Sequence, residues 1–121
     1  MRKILVVAAN QERLPDPIPP IGAAYIAAAA RAAGHEVRLF DACFAADWTR
    51  DLTAALDAFA PDVIACSLRN VDNVAYPNVT SYLDRYRELV ARCRAPARPR
   101  VQDARPAPRD VPVPCQAAGR P

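Results

Sequence analysis

The chain has 121 residues and a mass of 13.1 kDa, which is enough for one domain and too little for two. Hydrophobic residues make up 52% and charged residues 24%, a balance typical of globular domains that excludes a wholly disordered chain. The net charge of +3 comes from residues 95–121, whereas residues 1–94 contain equal numbers of basic and acidic side chains, which argues against a nucleic-acid-binding face.

The first half of the chain predicts a strand, a long loop, a helix and a second strand. Residues 3–9 form a continuous apolar run rich in β-branched residues, typical of a strand buried on both faces of a parallel sheet. Residues 10–20 are polar and contain four prolines, which predicts a loop. The alanine-rich residues 22–33 predict a helix that Gly34 ends. Residues 36–40 predict the second strand.

The second half repeats this order. Residues 49–59 predict a helix with apolar side chains at helical spacing, and residues 63–67 predict a third buried strand. A second long loop covers residues 68–78, and a third helix is predicted over residues 80–94. The β-α-β-α-β-α order indicates an α/β domain with a parallel, flavodoxin-like (Rossmann-like) sheet in the strand order 2-1-3.

Residues 95–121 break this pattern. They contain seven prolines, six alanines and five arginines, with no leucine, isoleucine or aromatic residue. Such a segment buries too little apolar surface to offset its ordering entropy, so we predict a disordered tail. It is either a natural basic tail or the product of a reading-frame change in a longer protein. The second origin is favoured, because a doubly wound sheet normally needs further strands, and without them the third strand is an exposed edge.

The start of the chain indicates a cytoplasmic protein. No apolar run approaches the roughly 18 residues of a membrane-spanning helix. The apolar run at residues 4–9 is also shorter than the core of about 7–15 residues in a secretory signal, and no convincing cleavage site follows it.

The cysteines and the single histidine do not form a metal-binding motif. Cys43, Cys66, Cys93 and Cys115 are far apart, and no CxxC or CxxxCxxC occurs. We therefore expect no zinc site and no iron–sulfur cluster bound by this chain alone. His35 follows the first predicted helix, at the end of the sheet away from a ligand, so we interpret it as a surface turn residue.

The two long loops indicate where a ligand would bind. In an open parallel sheet, ligands bind beyond the carboxyl ends of the strands, where the strand order reverses. Residues 10–20 and 68–78 leave the first and third strands at that point, and both loops exceed the usual length of such connections. The alternative is that they only cap the sheet. No GxGxxG motif is present, so a dinucleotide site is not indicated.

Several short motifs stand in a fixed order along the chain. They are KILVV at 3–7, PPIG at 19–22, AGHEV at 33–37, FD at 40–41, PDVI at 61–64 and SLRNVDN at 67–73. Together they resemble the N-terminal cobalamin-binding domain of B12-dependent radical SAM enzymes, over residues 1–94. The run SLRNVDN is similar to the loop after the third strand in a subgroup that includes tryptophan-methylating enzymes.

The resemblance implies a flavodoxin-like domain that holds cobalamin at the carboxyl edge of its sheet. Amide and carboxylate side chains can pair with the amides of cobalamin, and the start of the first helix favours polar or anionic groups. Asp41 could instead cap the following turn, and the polar loop after the third strand could be an ordinary set of Asx turns. The candidate cofactor-binding residues are Asn10, Pro19, Pro20, Gly22, Asp41, Ser67, Leu68, Arg69, Asn70, Asp72 and Asn73.

The chain also departs from the family pattern. The radical SAM barrel with its CxxxCxxC motif is missing, and so are the fourth and fifth strands of the cobalamin domain. The resemblance therefore implies a cobalamin-binding fragment, with no catalytic residue of its own, that would work with a separately encoded radical SAM domain. Two alternatives remain open: the N-terminal half of a nucleotide-sugar glycosyltransferase, and a small interaction protein with a basic tail.

Arg69 leads to a hypothesis about the ligand of the cobalt. The DxHxxG motif that places a histidine below cobalt is absent. A guanidinium has no lone pair to offer a metal, so Arg69 could keep the lower face of the cobalt free of a ligand. The alternative is that Arg69 only pairs with Asp72 or Asp41 at the surface.

Overall fold

The computed structural model describes residues 1–74, 76–95 and 101–103, which form a parallel sheet with helices on both faces. The strands are β1 (Lys3–Ala8), β2 (Glu36–Asp41), β3 (Val63–Ser67) and β4 (Val101–Asp103). The helices are α1 (Ile21–Ala32), α2 (Trp48–Phe59) and α3 (Leu83–Cys93). None of the helices in the described part is long and apolar enough to cross a bilayer.

The sheet has the strand order β2-β1-β3-β4, and every neighbouring pair is parallel. In the central register, Val6 of β1 lies between Leu39 of β2 and Ala65 of β3. The predicted order 2-1-3 is therefore confirmed. The strand order reverses between β1 and β3, and their carboxyl ends lie side by side.

β1 is the centre of the molecule because its side chains are buried on both faces. Val6 and Ala8 point to the face that α1 covers, where they pack with Ala23 and Ala27. Leu5 and Val7 belong to the larger core on the opposite face. The small alanine side chains let α1 lie close to the sheet, as its alanine-rich sequence predicts.

The larger core is built by α2 and α3. Leu52, Leu56 and Phe59 recur at helical spacing on α2, and all three are buried. Tyr86 and Leu89 make the equivalent face of α3. The amphipathic pattern of the sequence thus predicts correctly which sides of these two helices face the sheet.

The fourth strand corrects the prediction of a wholly disordered tail. Residues 101–103 pair in parallel with Ile64, Ala65 and Cys66, so β3 is not an open edge there. A low content of apolar residues predicts little side-chain burial. Strand pairing, however, uses the backbone N–H and C=O groups, and every residue except proline has both. The rest of the prediction for residues 95–121 falls on residues 96–100 and 104–121, which lie outside the described residues.

Helix α3 begins three residues later than predicted. Asp72 and Ser81 form an isolated antiparallel bridge, and the Tyr82 amide donates to the Val71 carbonyl at 2.8 Å. These bonds hold the residues before Leu83 in a turned-back loop. The helix therefore begins at Leu83, directly after this loop.

Candidate functional site

A cleft of about 440 Å³ lies at the carboxyl edge of the sheet, between the loops that follow β1 and β3. Eight of the eleven predicted residues line it, so the structure brings most of the candidate site together at the position where the strand order reverses. They are Asn10, Pro19, Pro20, Gly22, Asp41, Ser67, Leu68 and Arg69. The other lining residues are Ala8, Ile18, Ile21 and Ala23.

The start of α1 forms one wall of the cleft. Pro20 is the N-cap residue and provides no side-chain hydrogen bond to the first turn. The Ile21 amide donates to the Pro19 carbonyl and the Ala24 amide to the Pro20 carbonyl, both at 2.9 Å. Helix geometry leaves the amides of Gly22 and Ala23 between them without an intrahelical acceptor. This wall therefore offers backbone donors and a partial positive charge to a ligand oxygen.

The floor of the cleft is polar. Asn10 is the only buried polar residue among those that the structure describes, and its Oδ1 accepts from the Glu12 amide at 3.3 Å. Asp41 Oδ1 accepts from the Cys43 amide at 2.9 Å, as predicted for a turn cap. Burial raises the pKa of Asp41, and this amide partly opposes the effect. The turn-cap role of Asp41 is therefore observed, and Asp41 also lines the cleft, whereas a hydrogen bond from Asp41 to a ligand stays a prediction.

The second wall of the cleft comes from the end of β3. The Ser67 carbonyl accepts from the Ala9 amide at 3.1 Å and so extends the pairing of β1 and β3 to the cleft. Arg69 lies at the rim with an exposed side chain. It forms no ion pair within the described part of the chain, so the predicted alternative of a pair with Asp41 or Asp72 is not found.

Three predicted residues do not line the cleft: Asn70, Asp72 and Asn73. Asp72 Oδ1 accepts from the Val74 amide at 2.9 Å. Asn73 Oδ1 accepts from the Thr80 amide at 2.8 Å. The Asp72 bond spans two residues and matches the Asx-turn alternative, whereas the Asn73 bond spans seven residues and joins the two sides of the loop. A direct contact of these residues with a ligand stays a prediction.

Sequence reasoning missed a network that fastens the first loop. The Tyr82 hydroxyl donates to Glu12 Oε2 at 2.6 Å, which lowers the pKa of Glu12 and raises that of Tyr82. Arg13 donates from Nε to the Cys43 carbonyl at 2.7 Å and from Nη2 to the Ala45 carbonyl at 2.8 Å. The only sequence signal was a pair of charged residues inside a proline-rich loop.

The cleft contains no imidazole. His35 is the only histidine in the chain, and its Nδ1 accepts from the Arg2 amide at 3.3 Å, at the opposite edge of the sheet. His35 thus lies between the turn after α1 and the start of β2, away from the cleft as expected, but its side chain is half-buried. Within the described ranges, no group of three or more His, Cys, Asp or Glu side chains is placed to hold a metal ion.

Comparisons with known proteins identify the fold and the family. No curated protein matches the chain. Two solved structures of the radical S-adenosylmethionine methyltransferase TsrM from Kitasatospora setae are 26% identical to it. The one with tryptophan substrate and the SAM analog aza-SAM has a TM-score of 0.70 and covers 78% of this chain. The one with cobalamin and a 4Fe–4S cluster has a TM-score of 0.68 and covers 77%.

In both comparisons this chain spans only 17% of the length of TsrM. The family described as B12 binding domain matches residues 9–102, well over half of the chain. The matched range contains all eight predicted residues that line the cleft. The chain belongs to the B12-binding domain family.

Proposed function

We propose that this chain is a cobalamin-binding domain that works in a B12-dependent radical SAM protein of the methyltransferase type. The observation that carries the proposal is the cleft at the carboxyl edge, which lies within the range of the family match. The similarity to TsrM supports the methyltransferase type. It also favours this proposal over the glycosyltransferase alternative.

The residues of the cleft fit a large, amide-rich ligand. Asn10, Asp41 and Ser67 supply polar groups on the floor, and the first turn of α1 supplies backbone donors. Ile18 and Ile21 provide apolar surface at the mouth. When bound, cobalamin supplies a cobalt centre that carries a methyl group. The chain's own residues would bind and orient the cofactor with one face open.

The surface around the cleft supports a partner that covers it. Most of the exposed large hydrophobic side chains in the described part belong to the loops and helix ends at this edge of the sheet. Exposed apolar patches of this kind mark interaction sites. We infer that a separately encoded radical SAM domain binds there. The exposed hydrophobic residues of this chain at that edge are Leu14, Ile18, Ile21, Phe44, Leu68, Val71, Val74, Tyr76, Val79 and Leu83.

Titration with hydroxocobalamin, followed by visible absorbance, tests the proposal. Gly22 lines the cleft, and a Cβ there would meet no atom within 4 Å, so Gly22→Phe adds bulk at the cleft from a position where the backbone has room for a side chain. We expect weak binding by the unmodified chain and an affinity reduced at least about tenfold in Gly22→Phe. Ala29→Phe, at an exposed position of α1 outside the cleft, is the matched control and should bind normally.

Two results would contradict the proposal. The first is the absence of any spectral change with the unmodified chain. The second is equal affinity of the unmodified chain and Gly22→Phe. The fragment interpretation has a separate test, because a CxxxCxxC motif encoded in another frame of the downstream DNA would support a reading-frame change in a longer protein.

A further inference from the structure

Two side chains outside the cofactor cleft link the loops that form it. Glu12 lies in the loop after β1, and Tyr82 directly precedes α3. Neither residue lines the cleft, yet the Tyr82 hydroxyl donates to Glu12 Oε2 at 2.6 Å. A hydrogen bond to an ionised oxygen is stronger than one between neutral groups. This bond therefore sets the spacing of the two loops on either side of the cleft.

Glu12 holds the backbone of the first loop. Its other carboxylate oxygen, Oε1, accepts from the amides of Arg13 and Leu14, both at 3.1 Å. The Glu12 amide donates to Asn10 Oδ1 at 3.3 Å, and Asn10 Nδ2 donates to the Glu12 carbonyl at 3.5 Å. Cys43 Sγ donates to the same carbonyl at 3.3 Å. The position of Glu12 therefore decides how the Asn10 amide is oriented at the floor of the cleft.

Asn10 keeps hydrogen-bonding capacity for a ligand in this arrangement. An amide group has two N–H donors and two oxygen lone pairs, and the bonds to Glu12 use one of each. Asn10 lines the cleft, so the other donor and lone pair remain for a cofactor amide. A shift of Glu12 would change the direction in which both of them point.

Tyr82 connects the bond to the loop after β3. Its side chain is 4% exposed and belongs to the larger core, so its place is fixed by packing. Its amide donates to the Val71 carbonyl at 2.8 Å, two residues beyond Arg69, which lines the cleft. Tyr82 thus holds the loop after β3 against the core, and Glu12 joins the first loop to the same point.

The surroundings of the pair favour the ionised form of Glu12. The bond from Tyr82, the amides of Leu14 and Arg13, and the charge of Arg85 all hold the pKa of Glu12 below its ordinary value. The Arg85 guanidinium lies 5.5 Å from the centre of the Tyr82 ring. The carboxylate acceptor is therefore present at neutral pH.

We propose that Glu12 and Tyr82 are a positioning pair for cobalamin, which holds Asn10 and the loop after β3 at the spacing that the cofactor needs without touching it. The inference rests on the proposed function, because it names what sets the affinity of the same cleft. A role in stability alone would leave the affinity of the folded chain unchanged when the bond is broken. A positioning role lowers the affinity, and loss of the second partner then has no further effect.

A double-mutant cycle with hydroxocobalamin tests the pair in the full chain. Tyr82→Phe should lower the affinity about fivefold, and Glu12→Ala at least as much. The double variant should bind as Glu12→Ala does. Glu12→Gln keeps one acceptor oxygen, so its affinity should fall between those of the unmodified chain and Glu12→Ala. Visible absorbance measures binding, and circular dichroism checks that each variant folds.

Two control variants separate positioning from stability. Leu56→Val, in the buried face of α2, should lower the thermal midpoint and leave the affinity of the folded chain unchanged. Tyr25→Phe, at an exposed tyrosine of α1, should change neither quantity.

Amide exchange without cobalamin gives a second readout that does not depend on the cofactor. Tyr82→Phe should speed the exchange of the Arg13 and Leu14 amides, which donate to Glu12. Glu12→Ala should speed the exchange of the Tyr82 amide, on the other side of the bond. The Thr49 amide at the start of α2 is the reference and should not change in either variant.

Four results would overturn the inference. They are unchanged affinity in Tyr82→Phe, additive losses in the double variant, a loss in Leu56→Val as large as in Tyr82→Phe, and exchange rates that neither single variant alters across the bond. A different result would count against the proposed function alone. It is an unmodified chain that binds no cobalamin while amide exchange responds across the bond as expected.

Discussion

Glu12 and Tyr82 are 70 positions apart in sequence, and the hydrogen bond between their side chains joins the first loop to the start of α3. This bond holds the pKa of Glu12 below its ordinary value of 4.5. A carboxylate with a lowered pKa in the folded state stabilises the fold above its unfolded-state pKa. That stability is lost as the pH falls through the lower, folded-state value.

Replacing Tyr82 with phenylalanine should therefore destabilise the chain in a pH-dependent way. At pH 7 we expect Tyr82→Phe to lower the thermal midpoint by a few degrees. The difference from the unmodified chain should shrink as the pH falls below 4.5, because protonated Glu12 is a weaker acceptor. Thermal unfolding at a series of pH values measures it. Tyr25→Phe, at an exposed tyrosine, is the control, and a constant difference at every pH would contradict the prediction.

Arg69 supports a prediction about the cobalt environment. The cleft has no imidazole, and Arg69 lines it without an ion pair to any described residue. If its side chain lies below the bound cobalt, Arg69→His should supply a nitrogen ligand that arginine cannot. Electron paramagnetic resonance of the Co(II) state should then show nitrogen superhyperfine splitting in this variant only.

The control for this experiment is Arg69→Gln, which removes the charge without adding an imidazole and should show no nitrogen splitting. Splitting in the unmodified chain would mean that another nitrogen already ligates the metal. If the Arg69→His variant binds cobalamin but shows no nitrogen splitting, residue 69 does not lie below the cobalt.

The candidate site illustrates which residues a sequence can identify. Asn10, Asp41 and Ser67 stand at or just beyond strand ends, and the strand order alone brings them to one edge. Asp72 and Asn73 lie farther along a loop, where short-range hydrogen bonds decide their orientation. Such bonds depend on the closed shape of the loop, which hydrophobic periodicity does not describe.

At the scale of single elements, the strands and helices that the sequence predicts correctly are those with buried apolar side chains. The features that it does not predict depend on backbone pairing. The apolar run of β1 and the helical repeat of α2 identify these elements because tertiary burial and sequence pattern agree. The late start of α3 follows from the bridge between Asp72 and Ser81. β4 was missed because its pairing with β3 needs only backbone groups. Neither bridge nor edge pairing leaves a periodic signal in the sequence.

Considered as a whole, the molecule has two concave surfaces at different places. The cofactor cleft lies where the strand order reverses, which the β-α-β order predicts directly. The other is an apolar groove lined by Leu83, Tyr86 and Val90 of α3. Only the three-dimensional packing reveals this groove, because strand order does not describe how the helices pack side by side.

The short strand β4 leads to a prediction for the whole molecule. It pairs with Ile64, Ala65 and Cys66, so it covers the backbone edge of a strand that is central to the core. Exposed edges of apolar strands pair with other chains and cause aggregation. A chain that ends at Ala95 should therefore unfold at a lower temperature and scatter more light than one that ends at Asp103.

The chain ending at Asp103 should in turn match the full chain in both measurements, because composition gives residues 104–121 no apolar anchor comparable to the core. Amide exchange of the full chain gives an independent readout. Amides that pair β1 with β3 should exchange slowest, those of residues 101–103 at an intermediate rate, and those of residues 104–121 fastest. Two results together would contradict the prediction: equal thermal midpoints for the two shortened chains, and amide exchange at residues 101–103 as fast as at residues 104–121. They would mean that β4 contributes nothing to the fold in solution.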